Sequence, residues 1–284
     1  MSKAEQLNWE SRAGKPAALA AFATIILSVA SSIYVNAALD RPPDSDSTRQ
    51  LLEARDAQPD IFVNGAVIGG ISTLLLAVVL LYLYRATKFR RPELPSAAFV
   101  LAIVGPVLVA VAGILVQLDI NDTATEFVSS GARTEVRADD LVGDRSALGQ
   151  SIGLSGALAL AFSTILISQS AMRTGLVSRF IGILGIVVGA IYVLGTLFPL
   201  GTDMVQLFWL LALGLVFLGR WPGGRGPAWE TGEAIEWPTA AERRAEFERA
   251  QAAEQAPVGD ADPAGEATPG RSRTSRKRKK RKRR

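Results

Sequence analysis

Residues 61–118 decide the reading: IFVNGAVIGGISTLLLAVVLLYLY (61–84), RATKFRRPEL (85–94) and PSAAFVLAIVGPVLVAVAGILVQL (95–118). Two apolar blocks of 24 residues flank ten residues that carry Arg85, Lys88, Arg90 and Arg91. Neither block contains Asp, Glu, Lys or Arg. A hydrocarbon core of roughly 30 Å needs about 20 apolar residues at about 1.5 Å each. Each block is therefore long enough to cross a bilayer as a helix. The basic loop between them belongs on the cytoplasmic side, where Lys and Arg are retained.

The same pattern extends outward. Uncharged apolar stretches also run over 17–39, 148–172, 180–200 and 204–219. With the first two blocks they predict an all-α, polytopic transmembrane helix bundle of six spans. Pro106 marks a site for a kink in the third. The sixth span is the shortest, with Asp203 as its N-cap and Trp221 as a headgroup-level anchor. Only Gly201, Thr202 and Asp203 join the last two spans, which therefore form a tight antiparallel hairpin. Val35-Asn36-Ala37 has small residues at the offsets of a signal-peptidase site. The apolar stretch before it exceeds the usual 7–15 residue core of a cleaved signal, so the first helix is expected to stay.

Lys and Arg set the threading. Segments 1–16, 85–94 and 173–179 carry nine cations against six in loops 40–60 and 119–147, and residues 220–284 add sixteen. Both termini are expected in the cytoplasm. The layout is then a cytoplasmic segment 1–16, a membrane domain 17–219 and a cytoplasmic tail 220–284. In the outer loop 40–60, Ser47 or Thr48 can cap a short helix whose Leu51 and Leu52 rest on the membrane face. The outer loop 119–147, with seven acids against three Arg, reads as solvated.

Composition excludes much chemistry. Of 284 residues, 49% are hydrophobic and 20% charged, and there is no Cys and no His. Disulfides, thiolate nucleophiles, Cys/His zinc sites, His-ligated haem and every Ser-His or Cys-His pair are thereby ruled out. GLSG at 153–156 matches the GxSG around the nucleophile of rhomboid proteases, but the histidine base is missing, so Ser155 reads as packing. No paired carboxylate lies in a span, which argues against an ion-coupled transporter. The expectation is a protein that is not an enzyme and has no cofactor and no metal.

Two polar or small-residue patterns remain. Asn36, Asn64, Gln117, Gln150 and Gln206 each lie within about six residues of the outer boundary on five helices, roughly 3–9 Å deep. Converging, they would line a vestibule for a neutral polar ligand or lipid headgroup; apart, they would bond to headgroups, water or helix ends. Gly65 and Gly69, Gly149 and Gly153, and the stripe Gly182, Gly185 and Gly189 fall at helical spacing, as close helix packing requires.

The net charge of +4 is a property of one end. The last fourteen residues hold eleven Lys and Arg and no acid; without them 20 bases face 27 acids. A helix is expected over about 239–255, followed by a disordered linker and the polybasic end 271–284. Arg276, Lys277, Arg278, Lys279, Lys280, Arg281, Lys282, Arg283 and Arg284 suit anionic lipid, at about 1 kcal/mol per residue near the surface. Nonspecific contact with nucleic acid ranks second, because no aromatic residues interleave the cations to stack bases.

LVSRFIGILGIVVGAIYVLG (176–195) resembles the fifth-helix signature of an uncharacterised family of six-helix bacterial integral membrane proteins. VQLFWLLALGLVFLGRWPGGRGPAWETGEA (205–234) is similar to an actinobacterial variant of it. A helical loop after helix one and a basic loop after LLYLYR (80–85) match the layout. The excess of Arg over Lys, 24 against 7, agrees with a GC-rich bacterial origin. The resemblance implies the bacterial cell membrane and a six-helix fold, and carries no site residues. Three functions follow, in order: a membrane component interacting with lipid or partner proteins, a transporter of small solutes or lipid through the amide-lined end, and a loop-based enzyme.

Overall fold

The computed structural model describes residues 2–39, 43–44, 47–143, 147–197, 203–222 and 224–237, with single positions between 242 and 251. Nine helices occur among the described residues and no strand: α1 (Lys3–Ala38), α2 (Thr48–Ala57), α3 (Pro59–Arg90), α4 (Ala97–Ser129), α5 (Glu135–Gly143), α6 (Ala147–Arg173), α7 (Arg179–Leu197), α8 (Asp203–Phe217) and α9 (Pro227–Thr231). Helices α1, α3, α4 and α6 are long and apolar enough to cross a membrane; α7 and α8 are shorter and also apolar.

The long helices overrun the apolar blocks that nucleate them. Helix α1 has 36 residues, about 54 Å at the helical rise, against a bilayer core of roughly 30 Å. It begins at Lys3 because Ser2 forms a capping box with Glu5: the Glu5 N–H donates to Ser2 Oγ at 3.3 Å and the Ser2 N–H to Glu5 Oε2 at 2.7 Å. Residues 3–16, within the segment expected in the cytoplasm, are thus helical and continuous with the first span through Pro16. Helix α4 likewise continues through Pro106 and past Leu118 to Ser129.

Six helices form a closed ring in the order α1, α3, α4, α6, α7, α8, with α8 returning to α1 and α3 also touching α6. Chain direction alternates, so α2 and α5 sit at one end of the ring, here the cap end. The start of α1 and residues 218–222 and 224–237 sit at the other, the terminal end. Small residues set the closeness of the ring. A Cβ at Gly105 would lie 2.6 Å from the Leu160 nitrogen, and one at Gly156 2.8 Å from the Val109 nitrogen. Large apolar side chains such as Ile26, Ile71, Phe162 and Ile183 point outward and are exposed, as expected of a lipid-facing surface.

Buried apolar residues fall into two clusters. The larger fills the terminal half of the ring and includes Leu80, Leu83, Ile167, Trp209, Phe217 and Trp229. The smaller joins Leu52, Ala124, Phe127 and Ala138 at the cap end. That cap refines one expectation and corrects another. Among its described residues loop 119–147 is largely helical, with most side chains still solvent-exposed, because Phe127 and Ala138 gain burial by packing on each other and on α2. Leu52 faces this cluster and not the membrane. Ser47 caps α2, accepting from the Gln50 N–H at 3.2 Å, and Glu135 at the start of α5 accepts from the Arg49 N–H at 3.1 Å.

The terminal end is closed by the chain after α8. The Trp229 indole N–H donates to Leu176 O at 2.8 Å, and its ring stacks on Tyr82 at 5.8 Å. Gly175, at φ 72°, and Gly226 make this return feasible: a Cβ on either would run into the 235–237 segment. Residues 238–284 form a separate unit of the chain. In it Glu242, Arg244, Ala245, Glu248, Arg249 and Gln251 are helical, within the helix expected over 239–255. The polybasic end 271–284 lies outside the described residues.

Candidate functional site

Between the two apolar clusters lies a cavity of about 810 Å³. Its walls come from α1, α3, α4, α6, α7 and α8, and α2 contributes Arg55 from above. The wall between α1 and α3 is closed by polar bonds: Ser31 Oγ donates to Gly65 O at 2.8 Å, Ser72 Oγ to Thr24 O at 2.8 Å, and Ser28 meets Ser72 at 3.2 Å. Its floor reaches Leu76 and Leu160, the top of the larger apolar cluster. A cavity forms here because this layer of the ring is built from Gly, Ala, Ser and Thr. Those residues bring backbones together without filling the centre.

Arg55 is the ionised side chain of this site. It is 7% exposed, and among the described residues it is the one charged group lining the cavity. Its Nη1 donates to Gln117 Oε1 at 2.7 Å, and its guanidinium carbon lies 4.0 Å from the centroid of the Phe62 ring. Asn121 Oδ1 stands 3.5 Å from the same nitrogen, while Asn121 Nδ2 donates to Pro59 O at 3.1 Å. Two bonded or stacked partners on different helices fix the guanidinium plane.

The five amides divide. Asn36, Gln117 and Gln206 line the cavity. Asn36 Nδ2 donates to Ser32 O one turn back, at 2.8 Å. Asn64 stands outside it, exposed, with Nδ2 3.4 Å from the Tyr34 hydroxyl. Gln150 is exposed at the start of α6 and does not line the cavity. Equal depth on five helices therefore brings three amides to one space, because depth specifies height along a helix and not the direction a side chain faces.

The glycines sit at helix crossings. A Cβ on Gly65 would strike Val35, and one on Gly69 would meet Ser31 Oγ at 3.5 Å. Gly149 faces Val116 and Gly153 faces Ala112 across the α4–α6 seam. Gly182, Gly185 and Gly189 face Met172, Ser168 and Ile165 across the α6–α7 seam. Ser155 Oγ donates to Ser151 O of its own helix at 2.9 Å.

Arg55 was read from the sequence only as a loop charge. A signal was present: Leu52 and Arg55 are three residues apart, so they share one face of α2, and a cation on the buried face of a short helix marks a polar interior. Arg90 is the second such residue. It forms a two-pronged ion pair with Glu10, Nη2 to Oε2 at 2.9 Å, and donates through Nη2 to Ala228 O at 2.6 Å. Gln6 Nε2 adds a bond to Glu10 Oε1 at 2.7 Å.

Four long apolar helices, an apolar exterior and a closed helical ring define a membrane protein of the polytopic helix-bundle class. Residues 17–222 match the family model of a domain of unknown function, DUF4386, and the chain belongs to that family. No curated protein and no solved structure matches the chain.

Proposed function

We propose that this protein is a non-enzymatic component of the bacterial cell membrane that holds a lipid or small polar guest in its cap-end cavity. The observation that carries the reading is the cavity itself: about 810 Å³, within the roughly 300–1,000 Å³ of small-molecule sites, mostly apolar, with Arg55, Gln117, Asn36 and Gln206 among its polar groups. In this reading α7 and α8 also cross, giving six spans, and both ends of the chain are cytoplasmic. Supporting that threading are the cations at 85–91 and the sixteen after residue 219. The cap end then faces outward, and the tail from Arg276 to Arg284 lies by the anionic leaflet, with nonspecific nucleic-acid contact as the lesser partner.

Passage of the guest through the bundle is the second reading. Favouring it are Thr164 and Ser168, two buried α6 hydroxyls without hydrogen-bond partners among the described residues, one and two turns beyond the cavity-floor residue Leu160. Single cysteines test the threading, since the native chain has none. Cysteine at Ser45 or Ser129 is expected to label from outside intact cells and cysteine at Ser272 is not; external labelling at Ser272 overturns the topology. Gly113→Phe tests the cavity: a Cβ at Gly113 meets nothing within 4 Å, so the ring enters the space and is expected to abolish retention of a co-purifying guest.

A further inference from the structure

Resting on the reading of the cap-end cavity as a binding site, we infer that its guest is a neutral amphiphile with a hydroxyl-bearing headgroup, an acylglycerol in type. The headgroup donates to the α1–α3 wall, and the acyl chain leaves along α1. Hydrogen bonds in that wall run in one direction. A serine or threonine hydroxyl has one proton to give and two lone pairs. Four aliphatic hydroxyls line the cavity among the described residues, those of Ser28, Ser31, Ser32 and Thr73. Ser31 gives its proton to Gly65 O at 2.8 Å, Thr73 to Gly69 O at 3.0 Å and Ser32 to Ser28 O at 3.4 Å. Ser72 gives its own to Thr24 O at 2.8 Å, so Ser28 is the donor in the 3.2 Å contact between Ser28 and Ser72. All four protons are taken up inside the protein, and each oxygen keeps lone pairs for a guest. An acceptor-only phosphate or carboxylate meets these oxygens lone pair to lone pair. A hydroxyl supplies the missing donor, and burying it hydrogen-bonded costs far less than burying an ion against neutral oxygens.

The polar groups also form a strip. Ser28, Ser32 and Asn36 are four residues apart on α1, so they share one face over about 12 Å of helix. The walls from α4, α6 and α8 bring Val109, Leu160 and Leu207 to the same space. A cavity with one acceptor-lined wall and apolar walls around it fits a guest with hydroxyls on one part and hydrocarbon on the rest.

The cavity continues outward on the same helix. Ser32, Ile33 and Asn36 line it and also an open groove of about 380 Å³ on α1, which Ala37 completes. Ile33 is 61% exposed and neighbouring Val29 41% exposed, so an apolar surface runs from the cavity wall to the lipid-facing side of α1. The occupant of the groove is the guest's own acyl chain, since the residues that receive the headgroup are the ones that open onto it.

The test titrates the full-length protein, delipidated in lauryldimethylamine oxide, a detergent without hydroxyls. The probes are monooleoylglycerol, methyl oleate, oleate, oleylamine and glycerol, read by native mass spectrometry and thermal shift. Monooleoylglycerol is expected to bind at least about fivefold more tightly than methyl oleate, the worth of roughly one net hydrogen bond. Ser32→Ala with Asn36→Ala is expected to remove most of that preference and leave methyl oleate unchanged. Both side chains are exposed and bond to carbonyls of their own helix, so their loss spares the seams of the ring. The two esters compared on the native chain decide the matter even where a variant does not fold. Equal binding of the esters, or tighter binding of oleate or oleylamine than of monooleoylglycerol, overturns the hydroxyl assignment; if Gly113→Phe still abolishes binding, the cavity reading survives. Binding unaffected by Gly113→Phe overturns the cavity reading itself. Glycerol binding as tightly as monooleoylglycerol overturns the amphiphile, and no binding of monooleoylglycerol overturns the proposal.

Discussion

Arg90 and Glu10 meet in a two-pronged ion pair between α3 and α1, with side chains 0% and 2% exposed. Arg90 belongs to the basic cluster 85–91, from which a cytoplasmic loop is expected. Yet it does not lie against headgroups, and its neighbour Arg85 stacks over Trp9 at 4.3 Å. Half of the cluster is thus committed to tertiary contacts with the N-terminal helix.

Removing one partner strands the other in a dry site. Arg90→Ala or Glu10→Ala is expected to destabilise by about 3–5 kcal/mol. The double variant Glu10→Leu with Arg90→Met should recover most of that loss, since an apolar replacement leaves no unpaired charge. Thermal unfolding in detergent as a double-mutant cycle reads both; additive losses would contradict the buried pair.

Glycines on the same helix are expected to respond with opposite signs. Gly105→Ala places a Cβ 2.6 Å from the Leu160 nitrogen on the backbone of α6, which cannot give without parting the helices. A loss of about 1–3 kcal/mol is expected, the ordinary cost of overpacking. Gly113→Ala meets nothing within 4 Å and should gain about 0.5–1 kcal/mol from helix propensity. Unfolding midpoints of the two variants decide.

Glu233 makes one pH-dependent contact at the terminal end. Its carboxyl is held below the ordinary 4.5 by the hydrogen bond and charge of the Lys3 ammonium, 2.7 Å away. A lowered folded-state value stabilises above the unfolded one and is lost as pH falls through the folded value. The pair is exposed, so the effect is local. Hydrogen exchange of residues 228–237 should be flat above pH 5 and quicken below 4.5 relative to a Lys3→Met variant, in which the step disappears.

The tail prediction rests on charge alone. A peptide of residues 271–284 should bind vesicles containing phosphatidylglycerol at low salt and release as salt rises, at about 1 kcal/mol per surface cation and with screening over about 8 Å. Equal binding to neutral vesicles would refute this, and tighter binding to RNA would move the partner to nucleic acid.

Helix placement was legible because uncharged blocks of about twenty residues have one low-energy arrangement in a bilayer. Helix ends were not. Lys3–Lys15 and Asp119–Ser129 are polar stretches that stay helical because Glu10 and Phe127 find tertiary partners there, and partners are invisible to a hydropathy pattern. Gly65, Gly149 and Gly185 advertise close approach by spacing, but which helix approaches depends on the ring order, and Gly105 and Gly156 carry no such spacing signal. The candidate site was half legible for the same reason. Depth selected Asn36, Gln117 and Gln206 together with Asn64 and Gln150, and facing separates the two groups. Arg55 was hidden by its position in a loop, where a cation is ordinarily solvated.

The bond from Arg90 to Ala228 joins residues 138 apart in sequence. During synthesis Glu10 and Arg90 emerge with α1 and α3, while the carbonyl that completes the Arg90 environment is made 138 residues after Arg90. The terminal end therefore cannot close until the ribosome has passed residue 228. A nascent chain stopped short of that point holds its ring with Tyr82 uncovered by Trp229 and Leu176 without the indole that binds its carbonyl. Quality control has a physical handle in that interval: a truncated product leaves an aromatic, partly charged floor uncovered at the terminal end, and a finished one hides it.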